Sequence, residues 1–255
     1  MVKTILIDLD ETLVQSEKAT ADLFEKTAET VLKGTISGSD LRKAYRKYCL
    51  DVRSKMTFHQ MLEQIGAGRY DCFYIDDIPE IKFENIFKYR GAVEEKIANE
   101  LKIEKKNITE VNCFLKAHWL EFYKLYDDAQ CFLDAFSSCN VFIATNGLAS
   151  IQYQKIRKFN LEEMVDGAFV SQDFGVGKPN SYYFNSILKI IKQEPEEVVM
   201  IGDSISTDIE GAQMSGVNAI HICRTNSHCE KTRFQVANLS KAKEVLVDVF
   251  NVRLS

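Results

Sequence analysis

Three short apolar runs, residues 4–7 (TILI), 141–144 (VFIA) and 198–201 (VVMI), constrain this chain more than any other feature. Each is rich in β-branched residues and each stops at a polar cluster: Asp8-Leu9-Asp10, Thr145-Asn146-Gly147 and Gly202-Asp203. Runs that are hydrophobic on both faces read as strands of a parallel sheet covered on both sides. Between them lie helical patterns. Phe184, Ile187, Leu188 and Ile191 recur at i, i+3, i+4 and i+7 behind Pro179, which is placed in the first turn, and Pro195 lies beyond the end. A second helix is expected from about Ser206 to a Gly216 cap, then a strand over 218–223 and a terminal helix over 242–252. Alternation of this kind predicts an α/β fold, a Rossmann-like three-layer α/β/α core around a parallel sheet.

Residues 14–126 lack buried alternating strands and show amphipathic helical segments instead. The expected division is therefore a core of 1–13 and 127–255 and an inserted helical domain of 14–126, hinged at 12–16 and 126–129. Phe24, Ala28, Val31 and Leu32 mark one helix; Leu41, Ala44, Tyr45, Tyr48 and Cys49 mark another behind a Ser39 cap. Thr57 and Gln60 form a capping-box pattern ahead of Met61, Leu62 and Ile65, and Val111 to Phe122 reads as a longer helix. Residues 67–89 carry no assignable pattern.

Two residues apart in extended chain, Asp8 and Asp10 face one side, beyond the carboxyl end of the first strand, where ligands of open α/β sheets bind. The other two runs end in the same place, so three strand ends deliver polar groups together. A carboxylate such as Asp8 can attack phosphorus if a cation cancels the repulsion between anions. Asp8 and Asp203 offer hard oxygens suited to Mg²⁺. Thr145, Asn146 and Lys178 suit phosphoryl oxygens, with Gly175 and Gly177 letting the lysine approach, and Asp10 can protonate a leaving oxygen and later deprotonate water.

Taken together and in order, DLDETL (8–13), TNG (145–147), Lys178-Pro179 and GDSISTD (202–208) resemble the four motifs of the haloacid dehalogenase superfamily. The resemblance implies Asp8 as nucleophile, Asp10 as acid/base and, through its main-chain carbonyl, a Mg²⁺ ligand, and Asp203 as a further metal ligand. It also implies Thr145, Asn146 and Lys178 as phosphate ligands, Gly147 and Asp208 as supporting residues, and the insertion as a C1-type helical cap over the site. Within the superfamily the chain looks most like the pyrimidine 5′-nucleotidase and N-acylneuraminate-9-phosphatase type. The expected activity is Mg²⁺-dependent hydrolysis of a small phosphorylated metabolite, a sugar phosphate or nucleoside monophosphate, through an aspartyl-phosphate. The alternatives are a phosphomutase on the same core and a non-catalytic regulatory protein. Asp10 argues against a dehalogenase, and the absence of a histidine between residues 14 and 33 lowers the mutase reading. Two departures stand out. Glu11 occupies a position where many members have Gly, and Asp127-Asp128-Ala129 replaces a frequent Pro-Gly pair.

Composition narrows the rest. With 45% hydrophobic residues, 3 prolines and a net charge of −5, the chain is a globule with no electrostatic reason to bind nucleic acid or anionic lipid. No apolar run reaches the roughly 18 residues of a membrane span, and seven scattered cysteines without a C-x-x-C pair fit a reducing, cytoplasmic setting. His221, Cys223, His228 and Cys229 have zinc-type atoms without a zinc-type spacing, so ordinary structural roles are expected of them. Core packing is expected of His118 and exposure of His59. Arg69, Tyr70, Phe73 and Tyr74 are expected to fill a core rather than contact a substrate.

Overall fold

The computed structural model describes residues 2–68, 70, 74–137, 139–224 and 232–254. The chain forms two compact units, Met1–Gln15 with Lys124–Ser255, and Ser16–Tyr123.

The first unit is built on a six-stranded parallel sheet: β1 (Thr4–Ile7), β2 (Asn140–Thr145), β3 (Gly167–Val170), β4 (Val198–Gly202), β5 (Asn218–Ile222) and β6 (Gln235–Val236), in the order β3-β2-β1-β4-β5-β6. The three runs singled out in the sequence are its centre. β1 is buried along its whole length and pairs Ile7 with Ile143 on one side and with Ile201 on the other. That register ends the three central strands within two residues of one another, which is what brings their following residues together. The outer strands β3 and β6 are short and only partly buried, so they lack the apolar signature that marks the centre.

Helices α6 (Ala129–Ala135), α7 (Ala149–Lys158), α8 (Ser171–Phe174), α9 (Ser181–Ile191), α10 (Glu210–Met214) and α11 (Leu239–Asp248) belong to this unit. α9 buries Tyr183, Phe184, Ile187 and Leu188 against Leu6, Ala144, Val198 and Met200 of the sheet, each side chain contributing about 1.5–3 kcal/mol of burial. Its cap is Asn180, whose Oδ1 accepts from the Tyr182 N–H at 2.8 Å, so Pro179 precedes the helix rather than sitting in its first turn. The segment expected as one helix from Ser206 is a π-turn, Ile205–Ile209, running into α10, and Gly216 ends it with φ of 76°. The terminal helix starts three residues earlier than expected because Asn238 caps it on the Lys241 N–H.

The second unit is helical: α1 (Ser16–Val31), α2 (Gly38–Arg53), α3 (His59–Gln64), α4 (Phe83–Leu101) and α5 (Lys105–His118), the last continued by a 3₁₀ turn at Trp119–Phe122. Phe24 and Tyr45 meet edge-on at 5.4 Å, and the Tyr45 hydroxyl donates to Asn112 Oδ1 at 2.6 Å, whose Nδ2 donates to Glu94 at 2.8 Å. Ser37, not Ser39, caps α2, accepting from the Asp40 N–H. The Thr57/Gln60 capping box does not form. α3 starts after Phe58, which is buried and packs at 5.6 Å on Tyr89, so burial of an aromatic ring sets that start rather than a hydroxyl. α4 begins in the last third of the unassigned stretch and runs on beyond it. Tyr70 packs on Phe24 and accepts from Arg42 Nε at 3.0 Å, and Tyr74 packs on Trp119; Arg69 and Phe73 lie outside the described residues. His118 is not a core residue: its side chain is 38% exposed, paired with Glu121 and stacked on Phe114. His59 is half-buried rather than exposed. No described helix is long and apolar enough to cross a membrane.

Candidate active site

Beyond the carboxyl ends of β1, β2 and β4 lies a buried lysine. The Lys178 ammonium is 2.8 Å from Asp8 Oδ1 and 2.6 Å from Asp208 Oδ1, and it donates to the Ala144 carbonyl at 2.7 Å. Its side chain is 2% exposed, and the three contacts match its three N–H donors. The ammonium can therefore touch a phosphoryl oxygen only by exchanging one of these partners, and in this arrangement it acts first as the clamp on Asp8. Asp8, Asp203 and Asp208 each bring a carboxylate oxygen within 4.8 Å of the others. The main-chain N–H of Leu9 donates to Asp8 Oδ1 at 2.8 Å, and the Ser204 N–H donates to Asp208 Oδ2 at 3.0 Å.

The electrostatics follow from three acids crowding one base. Burial pushes the Asp8 carboxyl up to about 7, with Asp208 and Asp10 adding to the rise and Lys178 opposing it. Burial likewise pushes Asp203 up to about 8, helped by the charges of Asp8 and Asp208. Burial would discharge Lys178, but Asp208 and Asp8 outweigh it and hold the ammonium above its usual range. Tyr183 beneath the site is raised mainly by burial, and its hydroxyl donates to the Phe169 carbonyl at 2.6 Å. A buried place with excess negative charge and hard oxygen donors is chemically matched to a small divalent cation.

Asn146 does something other than expected. Its Oδ1 accepts from the Lys178 main-chain N–H at 2.8 Å and its Nδ2 donates to the Lys178 carbonyl at 2.8 Å. Both ends of the amide thus hold the lysine's backbone, so the side chain positions Lys178. This closeness is what Gly177 serves: a Cβ there would sit 2.2 Å from Asn146 Oδ1. Gly202 plays the same part for Asp208, whose Oδ2 a Cβ would meet at 2.3 Å. The Gly147 N–H donates to Ser171 Oγ at 2.9 Å, tying the Thr145-Asn146-Gly147 turn to α8. Thr145 is buried at the end of β2 and accepts from Gln152 Nε2 at 2.6 Å.

Asp10 carries a clamp of its own. Oδ1 is 2.7 Å from the Lys155 ammonium and Oδ2 accepts from Gln152 Nε2 at 2.8 Å. Its carboxylate is not among the three that gather at the Lys178 ammonium. Gln152 and Lys155 were not singled out in the sequence. Their i, i+3 spacing in a helix that follows directly on Thr145-Asn146-Gly147 was the signal available.

The two departures from the superfamily pattern meet in one network. Glu11, with φ of 58°, accepts from the Tyr126 hydroxyl at 2.9 Å; the Arg224 guanidinium lies 3.6 Å from the Tyr126 ring centroid and donates to Asp128 at 3.1 and 3.3 Å and to the Thr12 carbonyl at 2.9 Å. Asp128 is therefore held in an ion pair with Arg224. His221 Nε2 lies 3.0 Å from the Asp203 carbonyl, so it carries the proton and supports that loop; His228 and Cys229 lie outside the described residues. Among the described residues, the one group of three or more potential metal-ligating side chains is the Asp8, Asp203 and Asp208 set.

Residues 2–216 match the haloacid dehalogenase-like hydrolase family, and the chain belongs to it. It is 26% identical to the phosphoserine phosphatase of Thermus thermophilus over 88% of this chain and 89% of that one. It is 24% identical to the pyrimidine 5′-nucleotidase PynA of Streptococcus pneumoniae over 86% and 82%. A shorter match, 38% identical over 80 residues, links it to YfnB of Bacillus subtilis, spanning 34% of that protein. The structure of YfnB bound to magnesium superposes with a TM-score of 0.68 at 20% identity, over 96% of this chain and 98% of that one, which establishes the common fold. The chain is thus a haloacid dehalogenase-like hydrolase, and the two curated relatives named above that it matches over most of their length are, by name, a phosphoserine phosphatase and a pyrimidine 5′-nucleotidase.

Proposed function

We propose that this protein hydrolyses phosphoric monoesters of small metabolites, with Asp8 as nucleophile and Asp10 as acid and base, and that it requires Mg²⁺. The observation that carries the reading is the gathering of Asp8, Asp203 and Asp208 around the Lys178 ammonium, with Asp10 clamped alongside. An oxygen of Asp8 bonds to phosphorus as the bond to the leaving oxygen breaks, and the proton of Asp10 passes to that oxygen. Water then attacks the aspartyl-phosphate, Asp10 takes its proton, and inorganic phosphate departs with Asp8 restored as a carboxylate. Lys178 orients Asp8 and stabilises its charge, and Thr145 offers its hydroxyl proton to a phosphoryl oxygen.

The donor set fits Mg²⁺. Asp8 and Asp203, with the main-chain carbonyl of Asp10, would hold it, while Asp208 is committed to Lys178. When bound, the ion supplies the positive charge that lets one anion approach another. Hydrolysis is favoured over transfer to a second hydroxyl because the curated relatives matched over most of the chain, a phosphoserine phosphatase and a pyrimidine 5′-nucleotidase by name, both have names of enzymes that hydrolyse phosphoric monoesters. The proposed substrates are sugar phosphates and nucleoside monophosphates.

A p-nitrophenyl phosphate assay with and without Mg²⁺, run alongside Asp8→Asn, tests the reaction. Metal-dependent turnover abolished by the substitution supports it; no turnover under broad conditions, or turnover indifferent to the substitution, supports the non-catalytic alternative. A panel of phosphorylated sugars, nucleoside monophosphates and phosphoserine, ranked by kcat/KM, then identifies the substrate class.

A further inference from the structure

One NH₂ group in α7 faces more acceptors than it has hydrogens. Gln152 Nε2 lies 2.8 Å from Asp10 Oδ2, 2.6 Å from Thr145 Oγ1 and 2.9 Å from the Asn146 carbonyl. Three residues on, Lys155 holds the other oxygen of Asp10 at 2.7 Å. Both side chains are interior: Gln152 is 2% and Lys155 4% exposed. A buried ammonium in contact with a carboxylate is costly to maintain for stability alone, since apolar residues of similar volume often serve as well. Its placement therefore points to a task at Asp10.

We propose that Gln152 and Lys155 are positioning residues that act together on the proton-transfer side of the site. They hold both oxygens of Asp10 and so fix the orientation from which it exchanges its proton, and Gln152 turns the Thr145 hydroxyl so that its proton is offered to the phosphoryl group. The second part follows from hydrogen-bond valence. Thr145 Oγ1 receives a hydrogen from Gln152, so its own hydrogen must point to another acceptor. The nearest, the Asn146 carbonyl, is 3.5 Å away, at the limit of a useful bond. A phosphoryl oxygen is the better partner. One helix thus couples grip on the phosphoryl group to delivery of the proton, and the inference rests on the phosphatase reading above.

The test measures wild type, Lys155→Met, Gln152→Leu, Asp10→Asn and the Lys155→Met/Asp10→Asn double variant at saturating Mg²⁺, over aryl and alkyl phosphates of graded leaving-group basicity. General acid catalysis contributes roughly 10²–10⁴-fold. Lys155→Met should therefore lose roughly 10–100-fold in kcat on alkyl phosphates and only a few-fold on p-nitrophenyl phosphate. Lys155→Arg should restore the wild-type leaving-group slope. The double variant should be no slower than Asp10→Asn, and Gln152→Leu should raise KM as well as lower kcat. A Lys155→Met loss equal across all leaving groups and multiplicative with that of Asp10→Asn would overturn the inference. If Lys155→Met does not fold by circular dichroism, Gln152→Leu decides: a loss independent of leaving group overturns the inference, and a graded loss sustains it. Wild type inactive on the whole series would instead sink the phosphatase reading, so the two failures are distinguishable.

Discussion

Lys178→Met removes the ammonium that Asp8 and Asp208 face and leaves the methylenes' volume in place. Asp208 is fully buried, with its carboxylate 2.6 Å from Lys178 Nζ, and Asp8 is 2.8 Å away with its side chain 12% exposed. Removing one partner of a buried pair costs about 3–5 kcal/mol, because the remaining charge is buried without compensation. For a chain of this size each kcal/mol corresponds to about 2–4 °C in melting temperature, so the midpoint should fall by roughly 6–20 °C at neutral pH. The deficit should shrink in acid, where the orphaned carboxyls are protonated, and should shrink again in Lys178→Met/Asp208→Asn, where one of them is gone. Differential scanning calorimetry of metal-free protein at pH 5 and pH 7.5 reads all three outcomes. A variant that melts with wild type at pH 7.5, or a double variant less stable than the single, would refute the reasoning that these carboxylates depend on that ammonium.

Further outcomes follow from the same geometry. Asp8 and Asp203 have folded-state values raised to about 7 and about 8 above the ordinary 3.8, so the stability they lend is complete below about pH 4 and is lost as pH rises through 7–8. Metal-free protein should accordingly melt lower at pH 8 than at pH 6, and added Mg²⁺, which favours the ionised forms, should stabilise most at the higher pH; the reverse order in a thermal-shift series would contradict this. Gly177→Ala should cut kcat by roughly tenfold or more by forcing Asn146 off the Lys178 backbone, whereas Gly175→Ala, at φ of 68° with nothing within 4 Å, should cost only about 1 kcal/mol in stability with kcat near wild type. Asp10→Asn should slow hydrolysis of alkyl phosphates more than that of p-nitrophenyl phosphate, and equal losses would contradict an acid role.

The centre of the fold was legible because its strands are buried on both faces and read as apolar runs, and the site was legible because its groups stand directly after those strands. β3 and β6 escaped notice because partial burial dilutes that signal. α4 escaped because its first two turns fall in the stretch with no clear periodicity, where Phe83 and Phe87 are apolar yet exposed and blur the buried stripe. Within the site, identities of side chains were readable but hydrogen-bond partners were not. Asn146 carries the same amide whether it binds phosphate or the Lys178 backbone, and only the close approach of Gly177 decides between them. Gln152 and Lys155 lie on a helix whose face cannot be oriented from sequence without knowing where Asp10 points. Tyr126 and Arg224, 98 residues apart, show no local pattern to join them, yet they answer both Glu11 and Asp128.

The claim on which the rest depends is that Asp8 itself accepts the phosphoryl group. Acid-quenching Asp10→Asn during turnover with Mg²⁺, then mapping peptides by mass spectrometry, examines it directly, since loss of the base slows breakdown of the aspartyl-phosphate. The account predicts a phosphoryl group on the peptide containing Asp8, absent when Asp8 is also changed to Asn. Turnover of wild type with the phosphoryl group found on a different residue, or with Asp8→Asn still active, would contradict it.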